Sequence, residues 1–170
     1  GLELVAGRFS SGTALLTTLT LALIATFTQA QENNQPPKGF TALFNGKDLT
    51  GWKGLVADPP KRAKMSAEEL AKAQKKADEK MRAHWKVIDN ALEFDGHGDS
   101  LCTAKDYADF ELFCDWKIKA KGDSGLYLRG SPQVQIWDPS LKIAGVGSGG
   151  LYNNKNNPSK PSKTADKPIG

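Results

Sequence analysis

The sequence predicts an all-β protein of short strands, with one surface helix inserted between them. Residues 109–138 contain three segments rich in β-branched and aromatic residues, separated by turn signals at 121–123 and 130–132. Shorter segments of the same kind lie between residues 39 and 103. One stretch, residues 66–85, consists mostly of helix-forming residues. These patterns together indicate a sheet protein with a helical insertion.

Length and composition fit a single soluble globular domain. The chain has 170 residues, of which 39% are hydrophobic and 25% are charged, so it can bury a core. Its net charge of +4 is modest, and the lysines are spread over the helical stretch and the C-terminal tail. We therefore expect no nucleic-acid partner.

Residues 1–30 are typical of a signal peptide. Arg8 precedes an uncharged apolar run over residues 14–28. The small residues Thr28 and Ala30 then occupy the two positions that a signal peptidase recognises at its cleavage site. The run is shorter than the roughly 20 residues of a membrane span. We expect export to the periplasm or the extracellular space, with no stable membrane insertion after cleavage. An uncleaved membrane anchor is the alternative.

A polar, proline-containing linker over residues 31–38 leads to the domain expected at residues 39–170. This domain opens with a predicted strand that ends at the turn Asn45-Gly46. Trp52 then follows as an aromatic residue of the core or its rim.

The helical stretch, residues 66–85, has a clear beginning. Ser66 and Glu69 form a capping box, and Glu68 and Lys72 are spaced to pair along the helix. A narrow apolar stripe indicates a surface helix, and it consists of Leu70, Ala73, Ala77, Met81 and Trp85.

A predicted hairpin follows the helix, and one histidine and two cysteines come after it. Residues 85–88 and 91–94 are the two strands of the hairpin, and they flank a turn at Asp89-Asn90. His97 is expected to be exposed in a glycine-rich loop, with a general base or metal ligand as the alternative. Cys102 and Cys114 are expected to be small buried hydrophobes, with a disulfide as the alternative. Neither has Cys or His neighbours at zinc-ligand spacing.

Along the three central strands, side chains should alternate between two faces. The apolar face would comprise Phe110, Leu112, Cys114, Trp116, Ile118, Leu126, Leu128, Val134 and Ile136. The opposite face would comprise Glu111, Asp115, Tyr127, Arg129, Gln133, Gln135 and Trp137. Carboxylates, a guanidinium, carboxamides and aromatic rings on one face favour a carbohydrate-binding surface.

Five segments in this order resemble the 3-keto-disaccharide hydrolase domain family, formerly a domain of unknown function: residues 39–52, 109–112, 124–130, 133–138 and 149–152. The resemblance covers roughly residues 38–170. It implies a concanavalin A-like jelly-roll β-sandwich. In the family, further strands follow a segment like residues 167–170, so the resemblance also implies that the C-terminal strands are lacking.

The resemblance implies a hydrolase that cleaves 3-keto-glycosides, and the predicted signal peptide adds that it is exported. A ketone at C3 acidifies the C2 proton, so a base can remove it and the glycosidic oxygen at C1 can leave before water adds. Glu111 or Asp115 would be the base, and Arg129 would stabilise the oxyanion. A divalent cation could polarise the ketone, although no ligand spacing requires one.

The substrate would be a small carbohydrate. It would contact the polar face of the three central strands and the motifs that follow these strands. Gln133 and Gln135 would bind sugar hydroxyls or help to hold a cation, and Tyr127 or Trp137 would stack on a ring. The substrate-binding set as a whole comprises Tyr127, Gln133, Gln135, Trp137, Asp138 and Tyr152.

Three alternatives remain open from the sequence. The charged residues Glu111, Asp115 and Arg129 could form a cross-strand ion pair without a catalytic role. The domain could be a noncatalytic sugar-binding module, because fold alone does not determine function. It could also be an interaction domain of a larger secreted enzyme.

Overall fold

A computed structural model of the protein describes residues 35–141, 146–152, 154, 159–164 and 166–167, together with the backbone of residues 2–5. Within these described residues, nine strands and two helices follow one another as β1 (Leu2–Val5), β2 (Trp52–Gly54), α1 (Pro59–Arg62), α2 (Ala67–His84), β3 (Trp85–Ile88), β4 (Ala91–Phe94), β5 (Leu101–Thr103), β6 (Asp115–Ile118), β7 (Asp123–Tyr127), β8 (Gln133–Trp137) and β9 (Leu151–Tyr152). The predicted signal peptide lies outside the described residues, apart from Leu2–Val5.

The strands form small antiparallel sheets. In the described part of the chain, β1 pairs with β6, β2 with β5, and β3 with β4, while β7, β8 and β9 form a three-stranded sheet with β8 in the centre. The protein is therefore β-rich with few helices, as the sequence predicts. None of the described helices has the length and apolar content that a bilayer crossing requires.

A single cluster of buried side chains joins the helix to the sheets. It consists of Phe44, Met81, Trp85, Leu92 and Ile136. These residues come from five separate parts of the chain, so their burial holds α2 to the β3–β4 hairpin and to the sheet around β8. Burying a side chain of this size contributes about 1.5–3 kcal/mol.

The surface helix is confirmed with shifted bounds. Ser66 Oγ accepts a hydrogen bond from the backbone N–H of Glu69, and the Glu69 carboxylate accepts one from the N–H of Ser66. The capping box therefore fixes where α2 begins. The helix ends one residue before Trp85, because Trp85 pairs with Phe94 as the first residue of β3. The short helix α1, capped by Asp58, was not predicted.

Two sequence-based strand assignments were wrong. The segment 40–45 is not a strand, although Phe44 reaches the core. The strand expected from Asp109 begins only at Asp115, and no described strand pairs with residues 109–114. Phe110 and Leu112 are consequently exposed, at 46% and 40%, instead of lining the apolar face. Further along, Trp116, Ile118 and Leu126 pack against the core as expected.

Helix α2 lies directly on strand β2. The N–H of Gly54 donates to Asp78 Oδ1 at 2.9 Å, and Gln74 Nε2 donates to the carbonyl of Gly54 at 2.9 Å. Gln74 Nε2 also donates to Asp78 Oδ1 at 2.7 Å. Two helix side chains thus bind both backbone polar groups of Gly54 at the end of a short sheet.

Replacing Gly54 by alanine is expected to lower the free energy of unfolding by about 1–3 kcal/mol. A Cβ atom at this position would lie 2.2 Å from the backbone oxygen of Ala77, so the helix would have to move off the strand. Urea denaturation followed by circular dichroism measures the loss. Gly96→Ala provides the comparison for backbone strain alone, because its φ is +91° and no atom lies within 4 Å of the added Cβ. A loss below about 1 kcal/mol in Gly54→Ala would contradict the steric explanation.

Candidate functional site

Six polar or aromatic side chains lie on one face of the sheet formed by β7, β8 and β9. Asp123 is opposite Trp137 in the strand register, Tyr127 is opposite Gln133, and Gln133 is also opposite Tyr152. Directly opposed residues point to the same side of a sheet, and so do residues two apart on one strand. We call this surface the β8 face, and it carries Asp123, Tyr127, Gln133, Gln135, Trp137 and Tyr152.

The two glutamines of this face are held by hydrogen bonds to β7. Gln135 Nε2 donates to Asp123 Oδ1 at 2.8 Å and to the carbonyl of Ser124 at 3.0 Å. Gln133 Nε2 donates to the same carbonyl at 3.1 Å. A Cβ atom on Gly125 would lie 2.3 Å from Gln133 Nε2, so only glycine leaves room for this amide. The contacts with β7 therefore determine the orientation of both carboxamides.

The aromatic residues of the face meet across β8 and β9. The rings of Trp137 and Tyr152 are 5.6 Å apart between centroids and lie at 88°, an edge-to-face contact. Behind them, the backbone N–H of Trp137 donates to Ser148 Oγ at 3.0 Å, and Ser148 Oγ donates to the carbonyl of Trp137 at 3.3 Å. Ser148 therefore fixes the backbone that carries the indole.

Two buried polar atoms on this face have no hydrogen-bond partner among the described residues: Gln135 Oε1 and Trp137 Nε1. Gln135 and Trp137 are only 1% and 4% exposed. The first atom is an acceptor and the second is a donor. An unsatisfied buried polar group costs about 1–3 kcal/mol, so a water or a ligand hydroxyl in contact with either atom would relieve that cost.

Asp138, predicted to bind substrate, is engaged with the backbone of two turns, one before β7 and one after β8. Its Oδ2 accepts from the N–H of Lys121 at 2.6 Å, and its Oδ1 accepts from the N–H of Ser140 at 2.8 Å. These hydrogen bonds hold the pKa of the Asp138 carboxyl below its ordinary value. Because the pKa is lowered by folding, the carboxylate stabilises the two turns at neutral pH, and this contribution is lost as the pH falls through the lowered pKa.

The three residues predicted to be catalytic are not brought together on the β8 face. Glu111 lies in the irregular segment before β6, and Asp115 begins β6, which belongs to a different sheet. Arg129 lies in the turn between β7 and β8 with a left-handed φ of 58°, not on the strand. All three are exposed, and no ion pair joins them within the described ranges. The alternation pattern placed Glu111 and Arg129 on one face because it assumed strands that extend beyond β6 and β7. It placed Asp115 there because it assumed that β6 belongs to the same sheet as β7 and β8.

Asp123 and Ser148 are two residues of this site that were not predicted from the sequence. We assigned Asp123 to a turn, yet its spacing from Gly125 and Tyr127 already fits the alternation of a strand. Asp123 is a carboxylate that the structure places on the β8 face, and it is exposed. No local pattern marks Ser148, because its role comes from a contact with a strand residue eleven positions away.

Other residues that could carry chemistry lie elsewhere. Burial raises the pKa of the Cys114 thiol to about 12, so this thiol is protonated at neutral pH, and both cysteines are free. His84 Nδ1 lies 2.9 Å from Asp95 Oδ2, and His97 is exposed. In the described ranges, no group of three or more His, Cys, Asp and Glu side chains could hold a metal ion.

Comparison with known proteins places the chain in a family. The family model described as a 3-keto-alpha-glucoside-1,2-lyase-like domain matches residues 39–170. A 3-keto-disaccharide hydrolase from Bacteroides thetaiotaomicron is 24% identical over 98 residues, which cover 52% of this chain and 27% of that protein. No solved structure matches the chain. The resemblance carried by the sequence motifs is thus confirmed, and the chain belongs to the 3-keto-alpha-glucoside-1,2-lyase-like domain family.

Proposed function

We propose that the chain cleaves 3-keto-glycosides and that the β8 face binds the sugar. The observation that carries this proposal is the exposed carboxylate of Asp123, which a hydrogen bond from Gln135 Nε2 holds on the same face as aromatic rings. A sugar hydroxyl can donate a hydrogen bond to this carboxylate. The half-exposed rings of Tyr127 and Tyr152 add apolar surface for a sugar ring.

The reaction we propose begins with removal of the C2 proton by a carboxylate. The electron pair of the C2–H bond forms an enolate with the C3 ketone. When the ketone re-forms, the C1–C2 double bond forms and the glycosidic oxygen leaves C1, taking up a proton equivalent to the one that the base removed. Water then adds across the double bond, its oxygen to C1 and a proton to C2. Elimination alone is a lyase reaction, and elimination followed by hydration amounts to hydrolysis.

We assign the base to Asp123, in place of Glu111 or Asp115. Its carboxylate lies on the β8 face and is positioned by the hydrogen bond from Gln135 Nε2. Glu111 and Asp115 have no such support from this sheet. Arg129 lies in the turn after β7, whose far end at Tyr127 is already about 13 Å along the strand from Asp123, so any contact it makes with the substrate would be away from the reacting atoms. We therefore propose substrate binding for Arg129, while oxyanion stabilisation by it stays a prediction from the sequence.

The wider setting of this site is also a proposal. The small antiparallel sheets are compatible with a concanavalin A-like jelly-roll sandwich, whose concave sheet would carry the β8 face. The apolar run at residues 14–28 supports export to the periplasm or extracellular space. Because the named hydrolase matches this chain over only 27% of its own length, the substrate of that protein is not automatically the substrate of this one.

A direct test offers the full chain a 3-keto-disaccharide and, separately, the same disaccharide without the keto group. We expect cleavage of the keto sugar alone, because only the ketone acidifies the C2 proton. Proton NMR would detect both the released monosaccharide and any unsaturated keto sugar. Binding of both sugars without cleavage of either would contradict the catalytic proposal and would support a noncatalytic sugar-binding module.

A further inference from the structure

A second concave site lies away from the β8 face, between the loop before β2 and the segment after β5. Its volume is about 290 Å3. This is near the lower end of the roughly 300–1,000 Å3 typical of small-molecule sites, so it suits a ligand the size of one sugar ring. The side chains that give the pocket its chemical character belong to Leu43, Asn45, Thr50, Thr103, Lys105 and Tyr107.

The walls of this pocket are held in place by the protein itself. Asn45 Oδ1 accepts from the N–H groups of Lys47 and Asp48 at 2.8 and 3.0 Å. Asp48 Oδ1 accepts from Asn45 Nδ2 and from the N–H of Thr50, both at 2.8 Å. The N–H of Ala104 donates to the carbonyl of Gly51 at 2.8 Å and so joins the two walls. A ligand would therefore meet a preformed site.

Lys105 is the charged residue among those that line the pocket. Lys105 lines it, with Nζ lying 5.4 Å from the centroid of the Tyr107 ring. Within the part of the chain that the structure describes, Lys105 makes no ion pair, and no Asp or Glu lines the pocket. A cation without a carboxylate partner can form a charge-assisted hydrogen bond with an anionic ligand.

The remaining lining residues suit a hydroxylated ligand. Thr50, Thr103 and Tyr107 carry hydroxyl groups, and the Asn45 amide has one N–H left after its bond to Asp48. Leu43 and the Tyr107 ring supply apolar surface. We propose that this pocket binds a monosaccharide-sized sugar acid, with Lys105 contacting its carboxylate. This inference does not depend on the keto-glycoside activity.

Titration of the full chain with glucuronate, glucose and inorganic phosphate, each followed by isothermal calorimetry, tests the proposal. We expect glucuronate to bind more tightly than glucose or phosphate. Lys105→Gln should weaken glucuronate binding at least about tenfold, because it removes the charge but keeps a polar group. Lys47→Gln is the matched control: Lys47 is an exposed lysine of the same loop that does not line the pocket, and its replacement should leave the affinity unchanged.

Three results would overturn the proposal. Equal binding of glucose and glucuronate would show that the charge is not used. Equal loss of affinity in Lys105→Gln and Lys47→Gln would show a general charge effect. Phosphate binding as tight as that of glucuronate would show an anion site without sugar recognition. Circular dichroism of both variants checks that neither substitution disturbs the fold.

Discussion

Replacing Asp123 by asparagine is expected to lower kcat for a 3-keto-disaccharide by about 10²–10⁴-fold, the usual contribution of a general base. The asparagine side chain keeps an oxygen that can accept the hydrogen bond from Gln135 Nε2, so the β8 face should remain intact. The substitution removes only the ability to take a proton. We therefore expect kcat to fall with little change in the affinity for a nonreactive sugar.

The most specific measurement for this variant is hydrogen exchange at C2 of the substrate. A base that forms the enolate also exchanges the C2 proton for deuterium in D2O, and NMR follows this exchange separately from cleavage. Asp123→Asn should lose both. Glu111→Gln and Asp115→Asn serve as matched controls, since both residues are exposed carboxylates off the β8 face. If either control loses exchange while Asp123→Asn keeps it, the base is the residue that the sequence motifs favoured.

Replacing Leu92 by alanine is expected to lower the free energy of unfolding by about 2–5 kcal/mol. Leu92 is completely buried and belongs to the cluster that joins α2 to the sheets. The truncation removes contacts and leaves a cavity that the surrounding strands fill only in part. Urea denaturation monitored by tryptophan fluorescence would measure the change.

Ile88→Ala is the control for the Leu92 substitution. Ile88 lies on the other strand of the same hairpin and is 46% exposed, so its truncation should cost no more than about 0.5 kcal/mol. Similar losses for the two variants would mean that the hairpin is stabilised by strand propensity and not by the core. A loss below about 1 kcal/mol for Leu92→Ala would contradict the core assignment.

The motifs of the chain predict its family and part of its site. Alternation along residues 133–137 placed Gln133, Gln135 and Trp137 on one face, and the strand register confirms this. The same reasoning failed for Glu111 and Arg129. Alternation holds only where a strand has a pairing partner, and residues 109–114 have none among the described strands.

The features that follow directly from the sequence are local: the capping box that starts α2, the alternation along β7 and β8, and the order of the family motifs. The capping box and the alternation depend on residues a few positions apart, and the motif order depends only on their sequence along the chain. Which carboxylate accepts a hydrogen bond from Gln135 depends on tertiary structure. The hydrogen bond to Asp123 spans twelve residues and requires the β7–β8 register. Tertiary contacts also bind Asp138 to the backbone of Lys121, seventeen residues away, and place Lys105 at a pocket that no carboxylate lines in the described part of the chain. These outcomes depend on which segments pack together, and short-range patterns do not contain that information.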